Sequence, residues 1–182
     1  MTTAPLRIFG APHRYLQGPG ALTALGGVLA PFGAAPLLVA DVFVLEVLGA
    51  RLRESCAAAG LAPVFRPFGG EITYPAIDAL VAGLEGAPPV VAGIGGGKAL
   101  DAAKAVARIL SLPVVTVPTI ASNDSPTSCA IAMYDDAHRM IAVDRLDRSP
   151  DAVIVDTAVI ASAPVRFLRA GIGDAISKKF EA

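Results

Sequence analysis

Three segments of this 182-residue chain bring together residue types that could do chemistry. In the first, Gly93-Ile94-Gly95-Gly96-Gly97-Lys98-Ala99-Leu100-Asp101, an apolar run passes into consecutive glycines, a lysine and a stretch of helical period. Glycines let a ligand come close to the backbone, and the unpaired N–H groups of a helix start attract phosphate. The spacing departs from the dinucleotide fingerprint, because with Gly93 and Gly95 as the first two glycines the third falls on Lys98. It departs from the P-loop too: Ala92 stands in the place of the first glycine and Ala99 in that of the Ser or Thr. A tight strand-to-helix turn would account for one or two of the glycines. Three in a row before a lysine predict a pyrophosphate-binding turn.

The second segment, Pro118-Thr119-Ile120-Ala121-Ser122-Asn123-Asp124-Ser125-Pro126-Thr127-Ser128, collects hydroxyls around one carboxylate with no charge partner in the loop. The residues alone leave two readings open: a ligand loop at the carboxyl end of a strand, or an Asx turn at Asp124 before Pro126. In the third, Gly171-Ile172-Gly173-Asp174, the aspartate is either a helix N-cap or a metal ligand. His13 and His138 belong to no spaced cluster, and no Ser/His/Asp or Cys/His arrangement points to covalent catalysis.

Apolar runs that alternate with helix-period segments must hold these residues in place. Strands are expected at 36–40, 61–68, 89–94, 113–117 and 152–155, and helices at 42–59, 75–84 and 99–110. Gly60 is placed to end the first of these helices. Continuous apolar strands separated by helices predict a parallel sheet covered on both faces. Residues 129–134 and 139–143 read as a hairpin attached to that sheet, with Asp135 to His138 at its tip. After Pro164 only helical patterns follow, at 165–170 and 174–182, and the chain stops inside the second.

Composition excludes several classes of function. Fifteen basic against sixteen acidic residues leave a net charge of −1, with no basic excess to displace phosphate counterions, so a nucleic-acid partner is not expected. An apolar content of 54% excludes disorder. Mean hydropathy is high, at +0.60, yet the longest uncharged stretch, 15–40, is interrupted by glycines and prolines and predicts no membrane span. The N-terminal ten residues hold no apolar core of a signal peptide. Cys56 and Cys129 make no metal spacing and suit a reducing cytoplasm.

Together the segments GIGGGKALDAAKA, VPTIASNDSPTS, VIVDT and AGIGDAISKKFEA resemble the glycerol dehydrogenase branch of the iron-containing, or metal-dependent, alcohol dehydrogenase family. The resemblance runs over the whole chain but over only the N-terminal half of the family's usual length. It implies an α/β nucleotide-binding domain over 1–162, with a Rossmann-like parallel sheet and helices on both faces. Residues 163–182 would then be the first helices of a truncated, all-helical metal-binding domain. Gly97 and Lys98 match residues at the cofactor pyrophosphate, with Gly96 in the same turn and Asp101 opening the helix behind it. Asp41 matches the acidic residue near the adenosine ribose, and Thr119, Ser122, Ser128, Ala130 and Tyr134 match further cofactor contacts. Asp124 matches the residue that holds a substrate hydroxyl. Asp174 matches the one carboxylate of a metal site whose other ligands are histidines in the second domain.

The reaction so implied is oxidation of glycerol, or a related small diol or polyol, to the hydroxyketone. It uses NAD and one divalent metal, zinc or iron, in a cytoplasmic homo-oligomer. Asn123 in place of threonine, Ala130 in place of leucine and the Lys178-Lys179 pair depart from the family pattern and leave the diol unspecified. Because the Asp124 loop holds no base, a neutral diol is expected over a phosphorylated one. The alternatives are an enzyme like glycerol-1-phosphate dehydrogenase or dehydroquinate synthase, or a nucleotide-binding domain without catalysis. With one metal carboxylate and no paired histidines, the chain alone is expected to be inactive.

Overall fold

The structure is a computed structural model that describes residues 10–181. The chain opens with β1 (Arg14–Gly18), then a short helix α1 (Leu25–Leu29) between two 3-10 turns. Next come β2 (Leu37–Asp41), α2 (Val42–Ala58), β3 (Val64–Phe68), α3 (Tyr74–Ala82), β4 (Val91–Gly95), α4 (Gly97–Leu110) and β5 (Val114–Pro118). The hairpin strands β6 (Ala130–Tyr134) and β7 (Met140–Arg145) precede β8 (Ala152–Asp156), α5 (Thr157–Ser162) and α6 (Val165–Glu181). Six strands form one parallel sheet in the order β1-β8-β5-β4-β2-β3. The expected doubly covered parallel sheet is therefore present.

Side-chain alternation along the strands builds two cores. Leu38 and Ala40 of β2, with Ala92 and Ile94 of β4, face a cluster containing Leu25, Val44, Leu48 and Leu52. Leu37 and Val39, with Val91, face the other way, toward Ile77, Leu80, Ala102, Ala103 and Val106 of α3 and α4. All of these strand residues are fully buried, which is why the strands read as unbroken apolar runs.

Several elements differ from the sequence expectation. The strand β1 carries the polar run Arg14-Tyr15-Leu16-Gln17-Gly18 at a sheet edge, and its pairing with β8, not its own pattern, makes it a strand. The hairpin is a separate two-stranded antiparallel sheet and is not hydrogen-bonded into the main one. Helix α4 starts at Gly97, so Lys98 lies within its first turn. Helix α6 is continuous: Gly171, Gly173 and Asp174 all lie inside it, and Asp174 is not an N-cap.

Candidate functional site

Strand order reverses between β2 and β4, since β3 lies on one side of β2 and the chain returns to the other side for β4. Ligands of open α/β sheets bind outside the carboxyl ends of strands at such a reversal. A cleft of about 810 Å³ opens there, lined by Asp41, Phe43, Gly96, Gly97, Lys98 and Thr119 together with Pro164, Arg166 and Phe167. A smaller cavity of about 280 Å³ lies at the opposite end of β5. Its two arginines are matched by acids, Arg108 by Asp144 at 3.3 Å and Arg148 by Asp151 at 3.1 Å.

Each member of the cleft has a local reason for its place. Asp41 ends β2 and caps α2, its Oδ1 accepting from the N–H groups of Phe43 at 2.9 Å and Val44 at 3.3 Å. Among the described residues Oδ2 makes no hydrogen bond, and Asp41 is one of the residues that line the cleft. Gly96 caps α4, and the N–H groups of Gly97, Lys98 and Ala99 have no intrahelical partner. These donors and the helix dipole make the end of β4 attractive to an anion. The glycines also serve the protein's own packing. A Cβ on Gly96 would lie 2.8 Å from Ile120 Cδ1, and one on Gly97 would overlap the Asn123 amide.

Lys98 is held by Glu71, with Nζ 2.8 Å from Oε2, and His138 Nδ1 lies 2.7 Å from the same oxygen. Burial works to raise the Glu71 carboxyl, but the bonds to Lys98, His138 and the Ile72 N–H outweigh it and hold the group at about 2. The hairpin tip is thus linked to Lys98 through His138 and Glu71.

Of the other candidate positions Thr119 lines the cleft, while Ser122, Ser128, Ala130, Tyr134 and Asp101 are not part of its lining. Thr119 donates its N–H to Gly95 O at 3.0 Å, which binds the β5 loop to the glycine turn. Ser122, Ser128 and Ala130 lie further along that loop, and Ser128 Oγ accepts from the Ala130 N–H at 3.0 Å. Tyr134 ends β6 and donates its N–H to Ile72 O at 2.8 Å, beside Glu71. Asp101 does not face the cleft. Its Oδ1 accepts from Ser125 Oγ at 2.5 Å and its Oδ2 from the Ala132 N–H at 3.1 Å, and Lys104 Nζ sits 2.7 Å from Oδ1.

Asp124 and Asp174 are brought together by α6. A Cβ on Gly171 would collide with the Ala121 carbonyl group, whose carbon would lie 2.9 Å away, so this glycine lets the helix press onto the β5 loop. Two turns after Gly171, Lys178 Nζ stands 3.5 Å from Asp124 Oδ2 and 3.8 Å from Asp174 Oδ1. Asp124 therefore has a basic neighbour in space, which corrects the premise drawn from its loop alone. Among the described residues no three His, Cys, Asp or Glu groups converge to hold a metal. Asp174 is one carboxylate where a catalytic ion takes three protein ligands, so the described residues do not fit a metal site by themselves.

Residues 12–157 match the sequence profile of iron-containing alcohol dehydrogenases. The chain belongs to the iron-containing alcohol dehydrogenase family. It is 42% identical over 177 residues to a glycerol dehydrogenase of Escherichia coli O6:H1, a match covering 97% of this chain and 48% of that protein. A glycolaldehyde reductase of Halobacterium salinarum is also 42% identical, covering 96% of this chain and 48% of its own. The crystal structure of a probable glycerol dehydrogenase from Sinorhizobium meliloti superposes with a TM-score of 0.88 at 39% identity, over 96% of this chain and 48% of the other. The chain spans about half the length of the curated relatives it matches. No described helix is long and apolar enough to cross a membrane.

Within this member of the iron-containing alcohol dehydrogenase family three residues escaped the sequence reading. Glu71 follows a double glycine and carries no motif. Lys104 stands three residues after Asp101, a spacing that puts both on one helix face and was the available signal. Asp156, inside the VIVDT segment, is buried, and its Oδ1 accepts from the N–H groups of Gly20, Ala158 and Val159, its Oδ2 from that of Leu22 and from Arg51 Nη2. It ties the turn between β1 and α1, helix α2 and helix α5 to the end of β8.

Proposed function

We propose that these residues form the NAD-binding part of an enzyme that oxidises glycerol or a related small diol or polyol to the hydroxyketone. The observation that carries this reading is the single cleft, at the strand-order reversal, that unites Asp41, the α4 N-terminus, Lys98 and Thr119. Asp41 would accept hydrogen bonds from the adenosine ribose. The N–H groups of Gly97, Lys98 and Ala99, with the Lys98 ammonium, would take the pyrophosphate. Ser122, Ser128, Ala130 and Tyr134 would follow the rest of the dinucleotide. NAD, when bound, accepts the hydride. Asp124 would hold the hydroxyl beside the reacting one.

Lys178 is shared between the Asp124 and Asp174 carboxylates, so its charge is already engaged rather than held out for a substrate phosphate. Asp174 would be one ligand of a zinc or iron ion, whose other ligands would have to come from outside the described residues. Residues 163–182 are taken as the start of a helical domain, because Val165, Leu168, Ile172, Ile176 and Phe180 leave an exposed apolar stripe along α6. Calorimetric titration of the chain with NAD tests the cofactor assignment. Saturable binding is expected, weakened about tenfold by Lys98→Ala, as fits the loss of a charge-assisted hydrogen bond. Equal dissociation constants for the two proteins would remove the pyrophosphate role. Lys98→Ala is the clean probe, since a side chain at Gly97 would also disturb Asn123.

A further inference from the structure

Lys104 is the largest fully buried side chain among the described residues. Its ammonium lies 2.7 Å from Asp101 Oδ1 and donates to the carbonyl oxygens of Ser125 at 3.1 Å, Ser128 at 3.2 Å and Ala130 at 2.6 Å. Asp101 in turn receives the Ser125 hydroxyl and the Ala132 N–H. Apart from the bond within the pair, every contact of the two charges falls on residues 125–132. From β5, Thr116 Oγ1 adds a bond to Pro126 O at 2.7 Å. No described buried side-chain nitrogen or oxygen is left without a partner.

A buried ion pair alone says little about stability, because apolar residues often replace one without loss. Here the alternative is closed. Three carbonyls of an irregular loop point inward, and a buried carbonyl needs a donor that no apolar side chain provides. An ammonium with three N–H donors meets that need, and the Asp101 carboxylate balances its charge. The same helix also carries the phosphate-facing turn at its first residues. Helix α4 therefore fixes the distance between that turn and the β5–β6 loop.

We propose that Asp101 and Lys104 are positioning residues, a clamp that sets residues 122–130 in place before cofactor or substrate arrives. This role rests on the cofactor reading of the loop. The cleft lining includes Asp41, Gly96, Gly97, Lys98, Thr119 and Ile120 but none of residues 122–130. A ligand confined to the cleft should not sense the clamp, whereas the whole dinucleotide should.

The test compares wild type, Lys104→Met and the milder Ser125→Ala by amide hydrogen exchange and by titration with NAD and with AMP. In Lys104→Met, amides of 122–130 should exchange at least roughly tenfold faster while those of β4 and β5 keep their protection. The NAD dissociation constant should rise about fivefold or more, the range of one or two lost hydrogen bonds, with that for AMP unchanged. Ser125→Ala should shift the same amides in the same direction by less, and it decides the question if Lys104→Met does not fold. Unchanged exchange over 122–130, or equal weakening of NAD and AMP, would overturn the clamp. If the wild type binds neither nucleotide, the cofactor reading falls, while the exchange result still decides whether the clamp exists.

Discussion

Alanine at Gly171 and at Gly173 should move stability in opposite directions. Both glycines lie inside α6, two residues apart. Helix propensity alone favours alanine by about 1 kcal/mol at each. At Gly173 a Cβ would meet nothing within 4 Å, so that gain should be realised. At Gly171 it would meet the Ala121 carbonyl group and lie 3.3 Å from Ser122 Cα. That contact is backbone, in a loop anchored by the Thr119–Gly95 bond on one side and by Asp101 and Lys104 on the other. Overpacking costs about 1–3 kcal/mol, and overlap with a fixed carbonyl oxygen belongs at the upper end of that range, about 2 kcal/mol beyond the propensity gain. Gly173→Ala should therefore raise the melting temperature by about 2–4 °C for a chain of this size, and Gly171→Ala should lower it by a similar amount or more. The chain has no tryptophan, so far-UV circular dichroism during thermal and urea unfolding is the natural readout. Proteolysis at Arg166, Arg169, Lys178 and Lys179 would report whether α6 leaves the loop instead. Stabilisation of equal size by both alanines would refute the close approach of α6 and, with it, the placement of Asp174 beside Asp124.

Glu71→Gln should tighten NAD binding severalfold at low salt, because Lys98 then keeps its charge for the pyrophosphate; unchanged affinity from titration would count against that role for Lys98. The folded Glu71 carboxyl is depressed to about 2, so its bonds to Lys98 and His138 contribute stability above the ordinary carboxylate range and lose it as pH falls toward 2. Glu71→Gln should flatten the acid limb of a pH-stability curve over that interval. Asp156→Asn should cost about 2–4 kcal/mol in urea unfolding, since it turns a second donor toward the Leu22 N–H and Arg51. Burial works to raise the Asp156 carboxyl and the N–H groups of Gly20, Leu22, Val159 and Ala158 outweigh it, so wild type should lose this advantage only as pH drops below the usual carboxylate range. In the whole protein, kcat/KM should be higher for glycerol than for glycerol 1-phosphate, and Lys178→Ala should widen that gap; the reverse order would remove the neutral-diol assignment.

What could be read from the chain beforehand follows the range of the interactions. The strands β2, β4 and β5 are buried on both faces, so their own residues announce them, and the glycine turn declares itself by backbone demands that few side chains could meet. The strand β1 could not be found that way, because its place depends on β8, more than a hundred residues later. The cleft residues were legible for a related reason: Asp41, Gly96, Gly97, Lys98 and Thr119 all end a strand or start a helix, and strand ends in a parallel sheet converge by topology. Asp101 misled because its type and position suit a ligand-facing role, while its burial against Ser125 and Lys104 is a property of the fold. Lys178 misled in the opposite sense. Counting charges within the Asp124 loop missed a lysine fifty-four residues away that Gly171 allows to come within 3.5 Å. Electrostatic environment is a matter of distance in space, and near Asp124 that distance is set by a glycine that the sequence pattern leaves between two helical stretches and the structure places inside one helix.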